Sequence, residues 1–118
     1  LTSISIPNSV TSIGEYCFSE CRSLTSISIP NSVTSIGKKC FISCNNLSSI
    51  FIGNGLEFIG QNALTNISEI FYAGRQEPDC DDVFKISNRN KIHVYVSSQY
   101  KDSSFCGLVL QSKDDDEL

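Results

Sequence analysis

The chain repeats itself every 23 residues. Residues 1–23 read LTSISIPNSVTSIGEYCFSECRS and residues 24–46 read LTSISIPNSVTSIGKKCFISCNN, identical over their first fourteen positions. A third, more diverged copy opens at Leu47 with LSSIFIGNGLEFIGQNALTNISE, keeping Leu47, Ile50, Ile52, Asn54, Ile59 and Gly60 in phase. Such a period signals a solenoid. One unit cannot bury its own apolar side; stacked units bury it, with like residues over like.

Within a unit, LTSISIP sets Leu24, Ile27 and Ile29 inward and Thr25, Ser26 and Ser28 outward, the alternation of a short strand. Pro7 and Pro30 end the pairing by removing a donor. SVTSIG predicts a second extended piece, with Val33 and Ile36 inward and Gly37 turning the chain at positive φ. KKCFISC suits one helical turn that brings Cys40 and Cys44 to one face. The expected architecture is a solenoid of short parallel strands, with short extended or helical turns opposite.

The motif LTSISIPNSVTSIGEYCF resembles the BspA-like leucine-rich repeat family, whose units run L-x-x-I-x-I-P-x-x-V-x-x-I-G-x-x-A-F-x-x-C. The likeness covers residues 1 to about 72, three repeats. KIHVYVSSQYKDSSFCG looks like the capping segment that follows the last repeat, so 73–112 is read as a C-terminal cap and 113–118 as an acidic disordered tail. The resemblance implies a non-enzymatic protein-binding or adhesion module working through a concave face. It also implies a place at the cell surface or outside the cell, with an extracellular-matrix or host protein as partner. The alternative is a cytoplasmic leucine-rich repeat scaffold or regulatory subunit docking another protein.

Four thiols fall on repeat positions: Cys17 with Cys40, and Cys21 with Cys44. In the third copy Ala63 replaces the first, and the counterpart of the second is either Ile67 or missing, the latter favoured because a three-residue deletion aligns ISEIFY with LSSIFI. Substitution by a small apolar residue favours buried, reduced cysteines stacked coil on coil, so six free thiols are expected after denaturation. Zinc would need four thiolates held tetrahedrally. A cross-coil disulfide is compatible with a coil spacing of about 4.8 Å, so all three readings stay open. The pairing of Cys80 and Cys106 is not readable.

Outward strand positions give the candidate binding residues: Thr2 and Ser5, Thr25 and Ser28, Ser49 and Phe51, then Glu69 and Phe71. Phe51 and Phe71 would be neighbours, either as a hot-spot patch or as a surface covered by the cap. In the cap, Phe84, Phe105, Leu108 and Leu110 are candidates to plug the last coil. If no repeat precedes Leu1, that end exposes apolar surface and strand edge groups, and end-to-end self-association of two chains, or aggregation, is expected there.

Nothing in the sequence marks a catalytic, metal or cofactor site. His93, the single histidine, lies inside the strand-like KIHVYV with no nucleophile placed beside it by a motif. DCDD at 79–82 lacks the spacing of a calcium loop. Nine Lys and Arg against thirteen Asp and Glu, a net charge of -4, argue against nucleic acid as a partner. Sequons stand at Asn46 and Asn66 as candidate glycosylation sites. The chain opens without Met or a secretory leader and reads as a piece of something longer.

Overall fold

In the computed structural model, residues 4–64, 67–81, 83 and 92–112 are described. Thr2, Phe84, Asn66 and the tail 113–118 therefore lie outside the described residues. The chain winds as a parallel-strand β-solenoid of about three turns, with no helix among the described residues. Each coil alternates between two sheets. Strands β2 (Ser26–Ile29), β4 (Ser49–Ile52), β6 (Glu69–Tyr72), β8 (His93–Val96) and β10 (Leu108–Ser112) form the larger one, closed by β9 (Ser104–Phe105). The smaller sheet stacks β1 (Ser12–Ile13), β3 (Ser35–Ile36), β5 (Phe58–Ile59) and β7 (Asp79–Cys80).

The register follows the repeat. Ile27 pairs with Ile50, Ile50 with Ile70 and Ile70 with Val94, so branched apolar side chains stack in a column inside the coil. Ser49 pairs with Glu69 and Phe51 with Phe71, as the three-residue deletion predicts. Ile27, Ile36, Ile50, Ile59, Ile70 and Val94 are all buried. Polar side chains tie successive coils together: the Ser32, Thr34 and Ser48 hydroxyls donate to carbonyls of Val10, Thr11 and Thr25.

Two local expectations are corrected. The KKCFISC segment makes turns rather than a helical turn, because Lys39 and Ser43 are left-handed, with φ of 55° and 64°. Tyr16, Glu20 and Asn62 repeat this at the same coil positions. Gly37 does not have positive φ; it is needed for space. A Cβ there would lie 2.6 Å from Glu15 N and Gly14 C, and one at Gly60 would lie 2.6 Å from Lys38 N. At this corner adjacent backbones touch, and any side chain would hold them apart.

The last coil is closed by aromatic and aliphatic side chains. Tyr72 packs against Phe105 with ring centroids 5.0 Å apart and meets Tyr100 edge-on at 5.9 Å. Phe105 and Leu108 are buried and Leu110 packs partly against the core. A disulfide joins Cys80 to Cys106. At the other end the first coil leaves Ile4, Ile6, Val10 and Phe18 only partly buried.

Candidate protein-binding face

The outward side of the six-stranded sheet is organised by register alone. Parallel, in-register strands place equivalent residues on rungs about 4.8 Å apart. One row runs Ser26, Ser49, Glu69, His93. The next runs Ser5, Ser28, Phe51, Phe71, Tyr95. The structure thus places six of the eight predicted binding residues on these two rows, with Thr25 just before β2 and Thr2 outside the described residues. Thr25, Ser5, Ser28 and Phe51 are exposed; Ser49, Glu69 and Phe71 are half-buried.

Tyr95, which is not among the predicted binding residues, belongs to the same row. Phe51 and Phe71 are stacked with centroids 4.7 Å apart and planes 10° apart, and Phe71 and Tyr95 follow at 5.0 Å and 13°. Matching Val94 and Val96 to Ile70 and Tyr72 would have found the third ring. Among the described residues nothing roofs the near end of the stack: Phe51 is 45% exposed, while Phe71 and Tyr95 are half-buried. A groove of about 490 Å³ opens beside it, over Ser5, Ser28, Asn31, Phe51 and Phe71.

His93 lies exposed opposite Glu69 in the outward row. Asn46 is exposed, and its side-chain amide donates to Arg22 O at 2.7 Å.

The cysteines divide by coil. Cys40 and Cys44 are fully buried, whereas Cys21 is half-buried and Cys17 exposed. The expectation of a dry interior for all four thiols therefore fails at Cys17. Six free thiols must also be revised to four, because Cys80 and Cys106 are bonded to each other. Burial pushes the Cys40 thiol up to about 12 and raises that of Cys44, so both stay protonated at neutral pH. Neither behaves as a nucleophile in this state.

A stacked solenoid with an outward strand face is the architecture of leucine-rich repeat proteins. The profile of the BspA-type leucine-rich repeat region, six copies, matches residues 1–108, and the chain belongs to that family. Leucine-rich repeats generally mediate protein–protein interaction, and the family is typically non-enzymatic. No curated protein and no solved structure matches the chain at a significant level.

Proposed function

We propose that the chain is a non-enzymatic protein-binding module that holds its partner on the outward face of the six-stranded sheet, as part of a surface or extracellular protein. The observation carrying this reading is the outward stack of Phe51, Phe71 and Tyr95, with Phe51 exposed at its end. Aligned aromatics lose little conformational entropy on contact and supply the anchors around which interfaces are built. Serine rows beside them give a flat, hydrogen-bonding rim.

The Cys80–Cys106 disulfide supports an oxidising compartment, and a glycan at the exposed Asn46 would agree with it. The alternative, an intracellular scaffold docking a protein partner, draws on the four unpaired repeat thiols. Surface labelling of intact cells expressing the full-length protein separates the two. Labelled protein retaining the disulfide supports the first; protein reached only after lysis, with all thiols reduced, overturns it. For binding, Phe51→Ala and Tyr95→Ala are expected to abolish partner capture while leaving the melting temperature within a few degrees. Unchanged capture by both variants defeats the assignment of this face.

The partly buried Ile4, Ile6, Val10 and Phe18 support end-to-end self-association of the first coil. Light scattering at rising concentration is expected to show dimers; a constant monomer mass refutes them.

A further inference from the structure

The aromatic row stops at Phe51. Phe71 has a ring against each of its faces, but Phe51 has one only on the Phe71 side. Toward the first coil, the next two rungs of the same row carry Ser28 and Ser5. A serine fills little of a rung, so the free face of Phe51 looks into a slot about 4.8 Å wide per rung. The groove described above lies there.

Three features define what fits this slot. A planar group about 3.5 Å thick continues the stack without moving the strands. The Ser5 and Ser28 hydroxyls, which have no partner among the described residues, are ready to accept hydrogen bonds from it. The electrostatics admit a cation. No charged side chain lines the groove, so a cation entering it meets no like charge. No Lys or Arg occupies either outward row among the described residues, and the whole chain carries -4.

We propose that this slot receives an arginine side chain of a basic partner segment, its guanidinium stacked on the free face of Phe51 and donating to Ser28 and Ser5. The proposal rests on the binding role of this face and narrows its partner. Arginine suits the slot because its guanidinium is flat, weakly hydrated and rich in donors, and it favours aromatic faces. Lysine has the charge without the plane. A phenyl ring has the plane but leaves the hydroxyls unmatched.

The test is a titration of the ¹⁵N-labelled chain with three short peptides of identical Gly/Ser background. One carries two arginines, one two lysines and one two tyrosines. Saturable shifts are expected at the Ser28 and Phe51 amides with the arginine peptide, about threefold weaker binding with lysine, and weaker still with tyrosine. Ser28→Phe fills the slot with a ring that extends the stack, so it is expected to abolish these shifts while thermal stability is kept. Equal binding of the lysine or tyrosine peptide, or arginine binding unaffected by Ser28→Phe, overturns the proposal. If a protein partner is lost with Phe51→Ala yet held by Ser28→Phe, the arginine slot fails and the binding face stands. A partner indifferent to Phe51→Ala removes both.

Discussion

The thiol of Cys44 donates to the carbonyl of Phe18 across one coil boundary, 2.8 Å away. That contact exists because the coils stack in phase, and it leaves the sulfur in a dry interior where alkylating reagents do not reach. Cys17, one coil earlier in the chain, is exposed. Under native conditions iodoacetamide is therefore expected to modify Cys17 first and Cys21 more slowly. Cys40 and Cys44 should react only on unfolding. Peptide mapping after denaturation should find four free thiols and the Cys80–Cys106 linkage. Rapid native labelling of Cys40 contradicts the stacked interior.

Burial also fixes how the fold responds to alkali. Desolvation is the leading reason that Cys40 rises from 9.0 to about 12, and Tyr72 from 10.0 to about 12. Both groups are neutral while protonated, so the unfolded chain gives up these protons at lower pH than the folded one. Their stabilising effect is complete below pH 9 and is lost as pH climbs from about 9 to 12. In that window the unfolding free energy should fall by at most about 1.4 kcal/mol per pH unit for each group. Urea titrations across pH 8–11.5 measure the slope, and Cys40→Ala should flatten its lower part. A flat profile in the parent chain rules out the buried-thiol account.

Much of this arrangement was legible from the 23-residue period, since a repeat that stacks in phase dictates which side chains meet. The pairing of Ser49 with Glu69 and Phe51 with Phe71 needed one further inference, the deletion before Ile67. Legibility ended where the period did. Tyr95 follows Phe71 by 24 residues, and Cys80 follows its column-mate Ile59 by 21, so neither falls on schedule. Cys80 sits within DCDD, whose acidity hides an inward position. The turn geometry at Lys39 and Ser43 was unreadable for a different reason. Left-handed backbone at a non-glycine residue is imposed by coil stacking against local preference.

The disulfide closes the end of the molecule that repetition cannot close. Cys80 belongs to the smaller sheet and Cys106 lies between β9 and β10, 26 residues on, so the bond ties the terminal strands to the coil beneath. The Glu77 carboxylate accepts from Cys106 N across the same junction. By chain-entropy reasoning a loop of that length is worth about 3.5 kcal/mol. The double variant Cys80→Ser/Cys106→Ser is expected to lower the urea-unfolding free energy by roughly that amount, with Tyr100 and Phe105 gaining hydrogen exchange before Ile50 does. A loss of under about 1 kcal/mol would show that the aromatic plug holds the end by itself.

Gly14 and Gly37 occupy the same position of successive coils, and they make the sharpest test of stacking. A Cβ on Gly37 would meet the Gly14 and Glu15 backbone at 2.6 Å, while one on Gly14 would meet nothing within 4 Å. Neither residue has positive φ, so conformational preference is matched and steric contact alone differs. Gly37→Ala must push the first coil off the second and is expected to cost about 2 kcal/mol or more, in the range of overpacked cores. Gly14→Ala should change stability by no more than about 0.5 kcal/mol, as an open surface position does. Chemical denaturation of the two variants beside the parent gives both numbers. Equal effects at the two glycines would mean that the coils do not approach one another as described.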